Sequence, residues 1–312
     1  MHTAAARFPA LRSEGAWRIP VYGIGAVAAY WTIERVVGFR SWEDRVKSRG
    51  IAAMLGLAGP WAGPALAQPT GEELAKQLSN PVSSLISVPF QNNTDFGLGP
   101  GDDGVQNLLN IQPVIPISLT PEWNLISRTI LPLVYQDHDV IPGTGDEFGT
   151  GDVLQSFFLS PVEEIPGGVI FGAGPVFRLD TASDDRFGSD QWGAGPTFVA
   201  LKQTGGWTYG ILANHVWGFA GDEDRQHVSS TFLQPFLAHN WKSGFGLTLQ
   251  TETTYDWRGN QWTVPINLVA SQVLKLGPQR VQLSLGGRYY AEAPEFGPDW
   301  GVRAVVTLLF PK

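Results

Sequence analysis

Cysteine is absent from the 312 residues. That excludes a disulfide scaffold and thiolate metal sites, and it fits passage through an oxidising compartment. Charge is scarce as well. Asp, Glu, Lys and Arg make up 16 % of the chain, against about 25 % in a soluble globular domain. The balance is acidic, with a net charge of −8, which argues against nucleic acid, a partner normally met by basic surfaces. Long apolar runs are missing, yet the mean hydropathy is −0.04, so polar and apolar residues are finely interleaved. No G-x-S-x-G, P-loop or H-E-x-x-H occurs, so no catalytic residue, metal site or cofactor is expected.

Glycine (37) and tryptophan (12) are plentiful. The most informative stretch is Trp300 to Phe310, W-G-V-R-A-V-V-T-L-L-F. Trp300, Val302, Ala304, Val306, Leu308 and Phe310 share one face of a strand. Gly301, Arg303, Val305, Thr307 and Leu309 share the other. One face suits lipid and ends in aromatics; the other tolerates an arginine. This is the pattern of the last strand of an outer-membrane β-barrel. Phe310 is the expected signal read by the barrel-assembly machinery, with Pro311 and Lys312 after it.

The front of the chain reads differently. Val46 to Gly50 is basic, Ile51 to Pro64 is short and apolar, and Ala65-Leu66-Ala67 is an A-x-A cleavage site before Gln68. These are the three parts of a secretory signal peptide. Residues 1–45 precede it and include an apolar stretch, Ile19 to Ile33, shorter than the ~20 residues needed to span a bilayer. We expect translation to begin near Val46, with an N-terminal anchor as the alternative. The expected organisation is 1–45 as a non-structural extension, 46–67 as signal peptide, 68–82 as a helix and 83–312 as the barrel. The helix expectation rests on Leu74 and Leu78 four apart, Glu72 and Glu73 in the first turn, and Pro81 as a stop. It could plug the periplasmic mouth or lie on the surface.

Alternation predicts strands near Leu85–Asp95, Leu108–Leu119, Trp123–Tyr135, Asp152–Leu159, Gly168–Leu179 and Trp192–Leu201. It predicts more near Trp207–Phe219, Ser230–Trp241, Phe245–Tyr255, Trp262–Val273, Val281–Tyr290 and Trp300–Phe310. That is about twelve, an even number, as bacterial barrels require. Gly172-Ala173-Gly174-Pro175 and Gly193-Ala194-Gly195-Pro196 repeat in neighbouring strands. Alternate connections are long and acidic, as at Asp184-Asp185 and Asp222-Glu223-Asp224; the others are short. Short periplasmic turns and long extracellular loops follow the barrel rule. Tryptophans 123, 192, 207, 217, 241, 257, 262 and 300 fall near strand ends, where amphipathic rings meet a lipid–water interface. Pro113, Pro116, Pro132, Pro175, Pro196, Pro235 and Pro265 fall inside the strands. Proline removes a ladder donor, so bulges are expected.

Setting the apolar parity outward turns Asn110, Gln112, Asn124, Arg128, Arg178, Asn214, Gln234, Gln250, Glu252, Asn267, Gln282, Arg288 and Arg303 into the lumen. Glu252 is the single acidic strand residue among them. The set reads either as a salt-bridge lattice or as a pore lining with weak anion preference or a preference for neutral solutes, since a ring of basic side chains favours anions. Two other classes compete. A lipid hydrolase could hide at His227-x-Ser229 or near His215, although that pattern lacks the following glycine. A structural or adhesive barrel would act through its loops. Asp222-Glu223-Asp224 could bind Ca²⁺ through carboxylate oxygens, or form a solvated surface.

Several segments resemble a bacterial outer-membrane family tied to meta-pathway phenol degradation. They are Glu73-Leu74-Ala75-Lys76-Gln77-Leu78-Ser79-Asn80-Pro81, Ile86-Ser87-Val88-Pro89-Phe90-Gln91, Asn110 to Pro116 and Trp123 to Thr129. Gln234-Pro235-Phe236, Thr251 to Tyr255 and Phe310-Pro311-Lys312 extend the resemblance across the mature chain. It implies an outer-membrane channel for small, aromatic or hydrophobic molecules in a Gram-negative bacterium, with membrane lipid and solutes as partners. It implies no catalytic residues.

Overall fold

The computed structural model describes residues 69–311, apart from 138, 139, 142, 223, 224 and 226. The extension and signal peptide read at 1–67 lie outside the described residues.

Helix α1 (Gly71–Leu78) comes first. It starts where Thr70 and Glu73 form a reciprocal capping box, each side chain accepting from the other's backbone N–H, which satisfies two end donors. Then follow β1 (Ile86–Leu98), β2 (Gly104–Ile111), β3 (Val114–Ser118), β4 (Trp123–Gln136), β5 (Glu147–Thr150), β6 (Val153–Pro161), β7 (Val169–Leu179) and β8 (Gln191–Thr204). The second half holds β9 (Trp207–Gly221), β10 (Ser229–Asn240), β11 (Phe245–Thr251), β12 (Thr253–Asp256), β13 (Gln261–Thr263), β14 (Pro265–Leu276), β15 (Gln279–Tyr290) and β16 (Trp300–Phe310). Four pairs of segments are halves of one interrupted strand: β2/β3, β5/β6, β11/β12 and β13/β14. The result is a closed antiparallel barrel of twelve strands. Closure joins first to last, from Ile86 opposite Phe310 to Phe96 opposite Trp300. Both ends of the described chain lie at the end with the short turns.

The prolines explain the interruptions, and all but Pro132 do so without the bulges expected of them. Pro113 sits between β2 and β3, and Pro265 follows the gap after β13. Pro175 faces Pro196 across β7 and β8. On their outer sides the pairing skips, from Ser156–Val176 to Leu159–Ala173 and from Ala194–Trp217 to Thr197–Asn214, with the register kept. A proline cannot donate to its neighbour, so each skip falls where a donor is missing. Gly174 and Gly195 precede these prolines, and a Cβ there would collide with the carbonyl oxygens of Phe157 and His215. The repeated Gly-Ala-Gly-Pro is thus a matched pair of ladder gaps. Pro235 lies opposite the interruption between β11 and β12. Pro132 accepts from the Gly151 N–H in the break before β6. One extra residue enters there, between Leu133–Thr150 and Ile130–Leu154; two further register shifts lie away from proline, at Phe96/Leu98 and Trp192/Gly193.

Alternation governs the outer face. Along β16, Trp300, Val302, Ala304 and Val306 are exposed, while Gly301, Arg303, Thr307 and Leu309 are buried. Aromatic residues collect at both rims. Trp207 and Trp241 flank His239 with centroids 4.4 Å away at the turn end. Trp217, Tyr255, Trp257 and Trp262 cluster at the loop end. Asn92, Thr94 and Asn107 interrupt the apolar outer face and bond one another at 2.7–3.2 Å, which offsets their desolvation.

The interior has two unlike walls. From β4 to β9 it is apolar: Ile126, Phe158, Val199, Leu201 and Leu212 pack with Val82, each 5 % exposed or less. The parity rule that sends apolar residues outward fails on this arc, because an enclosed core rewards apolar burial as lipid does. The other wall, from β10 round to β2, is largely polar, although Phe232 and Phe236 of β10 pack against the apolar core. At the turn end Leu74 and Ala75 of α1 are fully buried against Leu85, Val273 and Leu309. Gln203 donates to the Lys76 carbonyl at 2.9 Å and Asn240 to Ser79 Oγ at 2.9 Å. The helix is therefore seated in the turn-end mouth of the barrel, not laid on its surface.

Candidate lumen site

A cavity of about 370 Å³ lies inside the barrel against the polar wall. Its floor is the end of α1 and the segment after it, from Gln77 to Pro81. Eight of the thirteen residues read as lumenal border it: Asn110, Gln112, Arg128, Gln234, Gln250, Glu252, Gln282 and Arg303. The remaining five do not. Asn124 lines a separate depression near the β3–β4 turn. Arg178 and Asn214 share the inward parity of the buried Val176 and Leu212 but sit on the apolar arc. Asn267 and Arg288 are buried within the wall. Asn267 is held by the carbonyls of Pro265 and Gln250 at 3.3 and 3.5 Å.

The charges are arranged in pairs. Arg303 donates from Nη1 and Nη2 to the two oxygens of Glu252 at 2.8 and 2.6 Å, and from Nε to Asn93 Oδ1 at 2.8 Å. Such a two-pronged contact is among the stronger charge-assisted geometries. Its guanidinium side chain is only 2 % exposed, so pairing is required to keep a full charge there. Arg288 lies 3.5 Å from Asp95 Oδ2 and donates to the Tyr290 hydroxyl at 2.9 Å. Asp95 is a second acid on the inward face, 3 % exposed, so Glu252 is not the single one. Alternation could have found Asp95, since it shares parity with Ser87, Gln91 and Asn93. Asp95 is the last residue of the expected strand, whereas β1 continues to Leu98 and places it well inside the wall. Arg128 differs from the other two arginines: its side chain donates to the neutral Gln112, at 3.1 Å.

The acidic loops are braced internally. Asp152 accepts from Thr181, Ala182 and Ser189. Arg186 joins Asp184 at 2.7 Å and also reaches Glu147. Arg225 pairs with Asp190 at 3.1 Å and donates to the carbonyls of Asp185 and Gly188. Burial raises the Asp190 pKa above the usual carboxylate range, partly countered by Arg225. Glu223 and Asp224 lie outside the described residues. Among the described residues no group of three or more His, Asp or Glu is placed to hold a metal.

For the hydrolase alternative, His227 is exposed and makes no hydrogen bond with Ser229 among the described residues. His215 lies on the outer face, bonded through Nδ1 to Thr231 Oγ1 at 2.7 Å and stacked near Trp217; no carboxylate orients it among the described residues.

With this geometry in view, the likeness to solved structures is informative. An outer membrane channel from Pseudomonas putida F1 superposes with a TM-score of 0.58 at 16 % identity, covering 81 % of this chain and all of that one. The fold is that of an outer-membrane β-barrel. Lesser likenesses are to outer membrane phospholipase A from Escherichia coli (TM-score 0.42, 12 % identity, 78 % and 99 % covered) and to the beta domain of the Bordetella autotransporter Brka (0.42, 12 %, 73 % and 100 %). No protein-family model and no curated protein matches the chain.

Proposed function

We propose that this barrel is an outer-membrane channel that passes small molecules passively. The observation that carries the reading is the cavity of about 370 Å³ inside a closed barrel, lined by paired charges, amides and apolar side chains. A structural barrel has no need of such a cavity. The exposed apolar outer face with aromatic rims supports membrane insertion. Export through a signal peptide cleaved near Ala67, in a Gram-negative cell, completes this reading. The resemblance to the phenol-degradation family points to aromatic or hydrophobic solutes. Phe310 closes the outward row of β16 and is the proposed assembly signal; Phe310→Ala should lower outer-membrane levels more than Lys312→Ala, read by membrane fractionation. The direct test is reconstitution of the purified barrel into liposomes and planar bilayers. Solute uptake and discrete conductance steps are expected. Tight liposomes and silent bilayers, with the barrel correctly folded, would overturn the channel reading.

A further inference from the structure

We propose that Arg128 is the anchor for an anionic head group, so that the lumen takes small amphiphilic anions: a carboxylate joined to an apolar body. This rests on the channel reading and narrows its solute. Three charged residues border the cavity, Arg128, Glu252 and Arg303. Arg303 grips both oxygens of Glu252, so that pair presents no net charge. Arg128 makes no ion pair among the described residues, and its one side-chain partner is Gln112. The lining therefore carries one net positive charge, and Arg128, which feels Glu252 only through space, is the side chain left without a direct acid partner.

The position of that charge gives the second half of the argument. Arg128 stands on the inward face of β4 between Ile126 and Ile130, with Val114 directly across on β3. Ile126 belongs to the apolar core, and Val114, Phe232 and Phe236 pack against that core while bordering the cavity. The free guanidinium is thus on the apolar side of the lumen, while the paired charges stand on the polar side. A guanidinium with few competing partners receives a carboxylate bidentately. The neighbouring side chains receive a hydrocarbon or ring. A neutral solute gains only the second contact, and a cation is repelled by the first. The volume lies within the roughly 300–1,000 Å³ of small-molecule sites.

The test uses the full barrel in lipid nanodiscs, titrated calorimetrically at neutral pH with benzoate, benzyl alcohol and benzylamine. These share a ring and differ in charge. Empty nanodiscs supply the blank. Benzoate should bind about tenfold tighter than either of the others, and Arg128→Gln should remove that advantage, as loss of a charge-assisted contact does. Arg128→Lys should keep part of it. Gln112→Glu, which supplies Arg128 with an internal acid and removes no arginine, should also abolish the preference. Heat-modifiable gel migration checks folding, and conductance of the same samples reports on the channel reading separately. Equal affinity of the wild-type barrel for the three probes, or unchanged benzoate affinity in folded Arg128→Gln or Gln112→Glu, would overturn the proposal.

Discussion

The two walls of the barrel interior solve the same problem by opposite means. Between β4 and β9, Phe158, Val199 and Leu212 fill the space with apolar side chains, and Gly172 leaves room for Val82 to seat among them. From β10 to β2, the buried Arg303, Arg288 and Asp95 and the half-buried Glu252 stand as matched ions. The apolar wall is cohesive without directional bonds, so it can be sealed. The polar wall is held by directional bonds, so it tolerates water and leaves the cavity on its side. The difference teaches that a small barrel need not be uniformly wet inside. One arc can act as a core while the other acts as a lining.

The sharpest way to break this comparison is to strand a charge. Glu252→Ala leaves Arg303 buried without its acid and should cost about 3–5 kcal/mol, with much of the loss recovered in Glu252→Ala/Arg303→Met. Urea unfolding followed by tryptophan fluorescence measures both; strict additivity of the two changes would show that the pair is not a unit. On the other wall Phe158→Ala, at a side chain 1 % exposed, should cost about 3–4 kcal/mol through the cavity it leaves. If it were nearly neutral, the apolar arc would not be a packed core. A smaller effect separates inside from outside. Leu283 is 42 % exposed on the outer face, and Leu283→Arg should cost about 2–4 kcal/mol if it lies near the bilayer midplane, whereas Gln282→Arg facing the lumen should be tolerated. Equal stability of the two in a lipid refolding assay would reverse the parity of β15.

The smallest effect concerns the loops. Burial raises the Asp190 pKa, so the folded state takes up this proton more readily than the unfolded chain. Its contribution to stability is then present at low pH and falls as pH rises from the ordinary carboxylate value through the raised one. Asp190→Asn should flatten the pH dependence of stability in that window. Arg225 keeps its bonds to Asp185 and Gly188 whatever the charge on Asp190, so the loop should stay ordered, which hydrogen exchange on residues 181–190 would read. Enhanced exchange on acidification would mean that the ion pair alone holds it.

Much of this was legible in the residues. The period-two alternation from Trp300 to Phe310 determined which side chains of β16 face in and out, because side chains alternate along a strand whatever its partners are. Proline marked where the ladder is disturbed at 113 and 265, because a missing N–H is a local property, although the disturbance is an interruption and not the expected bulge. Glu72 and Glu73 in the first turn and Pro81 as a stop marked α1 for the same reason, while the capping box at Thr70 and Glu73 set its start at Gly71.

What only the tertiary structure decided is who meets whom. Glu252 and Arg303 are 51 positions apart, and Asp95 and Arg288 farther still. Nothing local couples them; closure of the barrel brings β1, β15 and β16 side by side. Alternation alone also could not say that the apolar residues of β6, β8 and β9 include an inward set. Lipid and an enclosed core reward the same side chains, so the pattern of one strand is silent about which medium it faces. Only the neighbours across the lumen, Val82 and Ile126 among them, settle that, and they place Arg128 in the cavity lining with no ion pair among the described residues.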